Sequence, residues 1–223
     1  MKIALIGATG FVGQALLPEL LSRGHQVTAI VRQIVADPVK LPSQEGLKTA
    51  RADAMDAEAI CTAVREHDAV VSAFNPGWHE PDLYEKYMRG SASIVRGVQA
   101  SCVKRLLVVG GAGSLYVAPG VQLVDTPLFA EKAPAHVLPG ARAARDLLTD
   151  LYTNTKLDWT FLSPPAFLEV GLRTGAYRIG MDELLMTNSG PAGISVADMA
   201  IAIVDELERP QHIKARFTVA SPE

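Results

Sequence analysis

The sequence predicts an α/β fold, a doubly wound parallel sheet with a small C-terminal cap. Short apolar runs alternate with segments of helical periodicity, a glycine-rich turn joins the first run to the first helix, and the alternation weakens after Pro164. With 223 residues, of which 48% are hydrophobic and 20% charged, the chain suits one domain with a sizeable core. We therefore expect a single domain over residues 1–223, in which residues 165–223 form the cap on the substrate side.

The first half of the chain supplies alternating strands and helices. Lys2–Ile6 is an apolar run that ends at a glycine, which indicates a buried strand, and Phe11–Ser22 carries apolar residues at helical spacing. Residues 27–31 are apolar and partly β-branched, which favours a second strand. The other elements predicted in this half are a weaker strand at 47–52, helices at 56–65 and 82–100, and a strand at 69–73.

The second half continues the same pattern. It contains a predicted strand at 106–109, a helix at 141–154, and a strand at 159–162 that ends before two prolines. Alternation of strand and helix implies parallel strands joined by right-handed crossovers. Such sheets bind ligands beyond the carboxyl ends of their strands, so we expect the functional site at that edge.

Composition excludes several classes of protein. The net charge of −3 and the absence of a basic stripe argue against binding to nucleic acid or to an anionic membrane. No uninterrupted apolar stretch is long enough to span a bilayer. Cys61 and Cys102 lie far apart without the spacing of metal ligands, which favours free thiols and no metal site. We expect a cytoplasmic monomer or homodimer that acts on a small-molecule acceptor.

The turn between the first strand and the first helix is the strongest motif. In Gly7-Ala8-Thr9-Gly10-Phe11-Val12-Gly13, the first glycine permits a tight turn, the second lets a pyrophosphate approach the backbone, and the third lets helix and strand pack closely. The helix N-terminus then offers free N–H groups to phosphates. This context favours a Rossmann-type dinucleotide site over an ordinary structural turn. The predicted contacts are Gly7, Thr9, Gly10, Phe11, Val12 and Gly13.

The end of the second strand predicts which dinucleotide binds. Sites for NAD usually place a carboxylate there to bind the ribose 2′-hydroxyl, whereas this chain has Val31 followed by Arg32. A guanidinium can bind a 2′-phosphate that a carboxylate would repel. We therefore expect NADP(H) to be preferred over NAD(H), with a solvated loop arginine as the alternative.

Further cofactor contacts are expected after the other strands. Asp53 follows the third strand and is placed to accept a hydrogen bond from the adenine amino group, with a cap for the following helix as the alternative. The small residues and exposed backbone of the loop after the fourth strand suit the cofactor ribose, with an ordinary turn as the alternative. The full set of these expected contacts is Asp53, Ala73, Phe74, Asn75, Gly110, Ser163 and Pro164.

These motifs resemble the atypical branch of the short-chain dehydrogenase/reductase superfamily. More narrowly, the chain is similar to the NmrA-like and NADH-flavin-reductase-like group, and more distantly to biliverdin reductase B. The glycine turn is specific to the superfamily only, whereas the two segments 72–77 and 110–115 are more specific to the group. The matching segments are residues 7–13, 23–25, 69–77, 109–115, 157–164 and 216–219.

The chain departs from the superfamily's catalytic pattern. The resemblance implies a serine just after the fifth strand, where this sequence has Gly110-Gly111-Ala112, with Ala112 in the serine position. Ser114 lies two residues later and is expected to reach the pocket.

The tyrosine of the superfamily's Tyr-x-x-x-Lys motif is also missing. Tyr152 and Lys156 fit the pattern literally, but they lie at the end of their helix, and the functional pair belongs near its start. Leu138 and Arg142 occupy that earlier place. We therefore take Ser114 and Arg142 as the candidate catalytic residues.

The missing tyrosine limits the chemistry. Reduction of a ketone requires a placed acid, whereas a flavin or another conjugated acceptor spreads the incoming charge and can take its proton from water. We expect an NAD(P)H-dependent reductase that transfers hydride to a flavin or a similar planar conjugated acceptor. A non-catalytic dinucleotide sensor and an epimerase or dehydratase are the alternatives.

The acceptor is expected over the carboxyl ends of the strands. The loops at 74–78, 113–115 and 163–165 leave the strands on that side. Phe74 and Trp78 offer flat faces for a conjugated ring, Ser114 a hydroxyl and Arg142 a charge. The alternative is that the two aromatic residues anchor the cap.

Overall fold

A computed structural model describes residues 1–32 and 44–222. Two 3-10 turns, at Ala112–Ser114 and Leu123–Asp125, accompany the regular elements. In chain order these are β1 (Lys2–Ile6), α1 (Phe11–Ser22), β2 (Gln26–Val31), β3 (Leu47–Arg51), α2 (Ala57–Val64), β4 (Ala69–Ser72), α3 (Leu83–Ala100), β5 (Arg105–Val109), β6 (Tyr116–Ala118), β7 (Val121–Gln122), α4 (Pro127–Lys132), α5 (Leu138–Tyr152), β8 (Asp158–Ser163), β9 (Phe167–Glu169), β10 (Arg178–Gly180), β11 (Met186–Thr187), β12 (Gly190–Pro191), β13 (Gly193–Ser195), α6 (Val196–Glu208) and β14 (Ala215–Ala220).

The central sheet has the order β10-β14-β8-β5-β4-β1-β2-β3. All neighbouring strands are parallel except for the edge pair of β10 and β14. The chain moves outward from β1 to β3 and then crosses back to β4, so the strand order reverses between β1 and β4. The predicted doubly wound parallel sheet is confirmed, and this reversal is the place where such sheets bind ligands.

Helices cover both faces of the sheet. Helices α1 and α6 pack together on one face over a core that includes Leu5, Leu107 and Phe217. Helices α2, α3 and α5 pack on the other, over a core that includes Trp159 and Phe161. Strands β4 and β5 are buried along their whole length, which explains why residues 69–71 and 106–109 are continuous apolar runs rather than alternating ones.

The residues at the helix starts explain two of the boundaries. Asp56 caps α2, because its Oδ1 accepts from the N–H groups of Glu58 and Ala59, each at 3.0 Å. Ser195 caps α6, because its Oγ accepts from Asp198 N at 3.0 Å. Helix α5 begins at Leu138, three residues before the start that its periodicity predicts.

The C-terminal residues divide between the cap and the sheet. The cap over residues 165–223 stays a prediction. In this part of the chain β9 and β11 to β13 form small two-stranded sheets, whereas β10 joins the edge of the main sheet. Helix α6 packs on α1, and β14 pairs in parallel with β8, so both complete the central layers. The sequence signal is weak here because β10 to β13 are only two or three residues long.

Within residues 1–32 and 44–222, no helix combines the length and apolar character needed to cross a lipid bilayer.

Candidate functional site

The glycine turn connects the two strands at the reversal point. Gly7 has φ +83°, and a Cβ built on it would lie 2.4 Å from the carbonyl oxygen of Ala73. Both the left-handed backbone and the contact with the end of β4 therefore require glycine at this position. The loops after β1 and β4 meet here, which places them side by side at the carboxyl edge.

The other two glycines have different roles. A Cβ on Gly13 would lie 2.1 Å from the carbonyl oxygen of Gly7, so this residue lets α1 pack directly on the turn. Gly10 has an ordinary backbone, donates its N–H to Gly7 O at 3.0 Å, and is exposed. A Cβ on Gly10 would meet only Gly7 O, at 3.3 Å, so its outer side is open space that a side chain would otherwise fill.

The N-terminus of α1 can receive an anion. Gly10 precedes the helix without a side-chain cap, and the first turn contains no acidic residue. The first helical hydrogen bond runs from Gln14 N to Gly10 O at 2.9 Å, which leaves the N–H groups of Phe11, Val12 and Gly13 outside that ladder. Free N–H groups and the positive end of the helix dipole suit a phosphate.

Thr9 and Phe11 flank this N-terminus at the surface. Both are exposed, and Phe11 retains 50% of its accessible surface. The carbonyl oxygen of Thr9 accepts from Gln14 Nε2 at 2.8 Å, which fixes the loop against the helix. Of the predicted contacts in this turn, Thr9, Gly10 and Phe11 are thus exposed, whereas Gly13 is buried.

Two arginines lie at the ends of β2 and β3. Arg32 is exposed directly after β2, as the prediction of a 2′-phosphate contact requires. Arg51 lies beside it, with its Nε donating to Arg32 O at 3.3 Å, and sequence reasoning missed this residue. Its position depends on the pairing of β2 with β3, which the sequence does not reveal.

Asp53 lies on the same edge but does not cap a helix. Its Oδ1 accepts from Met55 N at 2.9 Å in a tight turn, and Asp56 caps α2 instead. The cap interpretation of Asp53 is therefore wrong. The side chain is exposed, and its contact with an adenine stays a prediction.

The loop after β4 is more tightly packed than expected. Phe74 is half-buried, and a Cβ on Gly90 would lie 2.5 Å from its ring, so this ring packs closely on α3. Its centroid lies 6.2 Å from that of Tyr87. Asn75 Oδ1 accepts from Gly77 N at 2.8 Å, which shapes the loop. Part of the Phe74 side chain thus packs against the core and is not available to a ligand.

Trp78 remains available at the surface. It is 46% exposed, and its ring packs over Gly140 in the first turn of α5. The next residue, His79, stacks on His136, with ring centroids 4.9 Å apart. These contacts join the loop after β4 to the start of α5, and the two histidines are a second feature that the sequence analysis missed.

Ser114 does not lie at an open surface. Its side chain is fully buried, and its Oγ lies 3.0 Å from Ser163 Oγ and 3.2 Å from Gly111 O. Ser163 is equally buried, and Pro164 is buried too. The expectation that Ser114 reaches the acceptor is corrected, because its hydroxyl is used within the fold. Ser163 and Pro164 can offer a ligand no exposed side chain either.

Buried Arg216 fixes the loop that carries Ser114. Its Nη1 donates to Ser114 O at 2.5 Å, and its Nε donates to Asp182 Oδ1 at 2.9 Å. Gly110, at the start of this loop, is half-buried, and a Cβ there would lie 1.9 Å from the Phe161 ring. The loop after β5 is therefore held rigidly from both sides.

The start of α5 carries the other candidate. Arg142 is exposed and has no hydrogen bond or ion pair with any residue in the described part of the chain. Leu138 opens the same helix, so no phenol occupies the early tyrosine position. Arg142 remains available to orient a ligand.

Tyr152 and Lys156 lie at and beyond the C-terminal end of α5. Helix α5 ends at Tyr152, so the exposed Lys156 lies outside the helical face that the motif requires. The Tyr152 ring packs edge-on against Trp159, 5.4 Å between centroids, near the amino end of β8. Partial burial and then the Asp182 carboxylate raise the pKa of Tyr152 above its usual value, which disfavours an activated phenol.

Comparisons with known proteins agree with this geometry. A family model described as NAD(P)H-binding matches residues 7–210. The uncharacterised protein YwnB of Bacillus subtilis (strain 168) is 41% identical over 224 residues, covering 99% of each chain. A solved structure from Bacteroides thetaiotaomicron, named a "putative epimerase", is 42% identical with a TM-score of 0.89 and covers 100% of this chain and 97% of its own. A "putative NADH-flavin reductase" from Streptococcus pneumoniae TIGR4 is 33% identical with a TM-score of 0.82 and full coverage of both chains.

Proposed function

Because the chain belongs to the NAD(P)H-binding family, we propose that it is an NAD(P)H-dependent oxidoreductase that transfers hydride to a flavin or a similar planar conjugated acceptor. The observation that carries the proposal is the pairing of an open glycine turn with a described site in which Leu138, and not a phenol, occupies the early position of α5. The similar Streptococcus pneumoniae protein named for NADH-flavin reduction supports the same acceptor class.

The residues present fit a nicotinamide dinucleotide. The open space beside Gly10, which a Cβ would fill, and the free N–H groups at the start of α1 together form a phosphate cradle. Residues 7–13 would hold the pyrophosphate, Asp53 the adenine, and the Ala73–Asn75 backbone the ribose. The bound nicotinamide supplies a hydride, which is two electrons and a proton equivalent, to the acceptor.

We infer a preference for NADP(H) from Arg32. Its guanidinium is exposed after β2, where a carboxylate would repel a 2′-phosphate. Losing one charge-assisted contact costs about 1.5–3 kcal/mol, which is roughly ten- to hundredfold in affinity. The adjoining Val31 supplies no competing hydrogen bond to a free 2′-hydroxyl.

The chain's own residues do not supply an obvious acid at the acceptor. Leu138 stands where a tyrosine would, Ala112 stands in the serine position, and Ser114 is buried. An acceptor that delocalises charge and takes its proton from water does not need such an acid. The protein would bind and orient the acceptor, with Trp78 providing a stacking face and Arg142 a charge.

The same missing acid also favours a second candidate, a dinucleotide-sensing regulator of the NmrA-like type. A sensor needs the cradle but not the acceptor contacts. Epimerase or dehydratase chemistry is less well supported, because it requires acid and base groups at the positions that Leu138 and Ala112 occupy.

Turnover separates these candidates. NADPH oxidation should be followed anaerobically with excess flavin, then with quinones and tetrapyrroles, and with the Gly10→Val variant as the matched control. Gly10 has an ordinary backbone, so the valine should preserve folding by circular dichroism and abolish dinucleotide binding. Multiple turnovers by the wild type alone would support the reductase. Tight NADPH binding without turnover of any acceptor would favour the sensor.

A further inference from the structure

We propose that Arg51 is a second determinant of dinucleotide choice, and that it forms with Arg32 a two-arginine clamp for the 2′-phosphate. The inference rests on the proposed dinucleotide site and extends it to a residue on a different strand. Arg51 touches the same ligand group as Arg32 in this arrangement, so it is a specificity-determining residue.

Strand register brings the two arginines together. β2 and β3 are parallel, and Val31 is the direct partner of Arg51 in their pairing. Arg32 follows Val31, so Arg51 lies level with the carboxyl end of β2. The Arg51 side chain then extends toward that end, since its Nε donates to Arg32 O at 3.3 Å.

The Arg51 contact orients its guanidinium and leaves most donors free. A guanidinium has five N–H donors, and Nε uses one of them on Arg32 O. The donors on the two terminal nitrogens have no partner in the described part of the chain. A fork held by one end and open at the other suits bidentate binding of a phosphate.

Local charge also favours a doubly charged anion. Arg32 and Arg51 are both exposed, and within residues 1–32 and 44–222 neither forms an ion pair with a carboxylate. The neighbouring Asp53 uses Oδ1 in its own turn, where it accepts from Met55 N. Two positive side chains at the carboxyl ends of neighbouring strands attract an anion, so a doubly charged phosphate is favoured there over an uncharged 2′-hydroxyl.

A purely structural role for Arg51 makes a different prediction. β3 is an edge strand, and the bond to Arg32 O could serve only to hold it on β2. Loss of such a contact would weaken NADP+ and NAD+ binding equally, or change only the free energy of unfolding. Loss of a phosphate contact would weaken NADP+ binding alone.

Calorimetric titration of NADP+ and NAD+ tests the clamp in the full-length wild type and the variants Arg32→Ala, Arg51→Ala and Arg51→Lys. Lys48→Ala is the matched control, because it removes one exposed positive charge from the other end of β3. Arg51→Ala should weaken NADP+ binding by about tenfold or more. NAD+ binding should stay within about twofold. The NADP+ affinity of Arg51→Lys should lie between those of the wild type and Arg51→Ala, because lysine keeps the positive charge but lacks the forked donors of a guanidinium.

The other possible results separate the two-arginine clamp from the proposed oxidoreductase activity. Equal effects on both dinucleotides, no effect of Arg51→Ala, or an equal loss in Lys48→Ala would overturn the clamp. A selective loss in Arg51→Ala, in a protein that turns over no acceptor, would uphold the clamp and contradict the oxidoreductase. A wild type that binds neither dinucleotide would contradict both.

Discussion

Ser114 Oγ lies 3.0 Å from Ser163 Oγ, and both side chains are fully buried. The pair joins the loop after β5 to the end of β8, and Arg216 secures the same loop through Ser114 O. Because the two hydroxyl groups satisfy each other inside the protein, Ser114 has a structural role.

The Ser114→Ala variant should therefore lose stability rather than activity. Removing one hydroxyl leaves Ser163 Oγ buried without this partner, at a cost of about 1–3 kcal/mol. Urea unfolding measures that loss, and kcat per folded molecule should be unchanged. The double variant Ser114→Ala/Ser163→Ala should recover part of the stability. A large fall in kcat with normal stability would restore Ser114 as a catalytic candidate.

Trp78→Ala should raise the KM for the acceptor. Trp78 is 46% exposed over the start of α5, and an aromatic stacking contact contributes about 0.5–1.5 kcal/mol, or roughly two- to tenfold in KM. NADPH affinity should stay nearly constant, as measured by titration. Ile213→Ala is the control, because Ile213 is similarly exposed, at 41%, but precedes β14 at the opposite edge. Loss of NADPH binding with unchanged acceptor KM would place the acceptor elsewhere.

Tyr152→Phe should leave kcat within about threefold of wild type, whereas loss of a general acid costs on the order of a hundredfold or more. The Tyr152 ring packs on Trp159 at the amino end of β8, away from the glycine turn. Steady-state kinetics with NADPH and flavin provide the measurement. A hundredfold fall in a normally folded variant would mean that the Tyr152 hydroxyl takes part in the reaction.

The buried Asp198 carboxylate should make the free energy of unfolding depend on pH. Burial alone would raise the pKa of this carboxylate, but hydrogen bonds from Thr174 Oγ1 and from the N–H groups of Thr174 and Gly175 lower the pKa below its usual value of 3.8. The folded pKa lies below the unfolded one, so the carboxylate stabilises the fold above pH 3.8, and this contribution is lost as the pH falls through the folded pKa.

Asp198→Asn should accordingly lower the free energy of unfolding near neutral pH, and its difference from wild type should shrink as the pH falls below 3.8. Urea unfolding at a series of pH values measures this. Asp150→Asn, which changes an exposed carboxylate on α5, should have a much smaller effect. A difference that stays constant down to acid pH would show that the stabilisation does not depend on the Asp198 charge.

Local chemistry made the glycine turn predictable from sequence. The requirements at Gly7 and Gly13 come from atoms within the turn and the adjoining strand ends, and apolar runs as long as β4 and β5 are distinctive. The helix starts were less certain because caps such as Asp56 act through single hydrogen bonds. The parallel sheet could be predicted from these local signals, and the site at its carboxyl edge stays a prediction.

Features that depend on pairing between distant segments could not be predicted from the sequence. β14 pairs with β8, more than fifty residues away along the chain, so its place in the sheet could not be read from residues 215–220. Burial of Ser114 depends on Ser163 and Arg216, which also come from distant segments. Arg51 became a candidate only when the register of β2 and β3 placed it beside Arg32.

Hydride transfer is tested most directly by anaerobic single-turnover oxidation of NADPH carrying deuterium at one or the other face of nicotinamide C4. The enzyme is mixed with oxidised flavin, and the loss of NADPH absorbance is followed by stopped flow. We predict that oxidation is slower with one of the two deuterated cofactors than with unlabelled NADPH, because the C4 bond on that face breaks as hydride moves to the acceptor. Failure to oxidise NADPH with flavins and the other planar acceptors, or equal rates with both labelled cofactors and unlabelled NADPH, would contradict the proposed reaction.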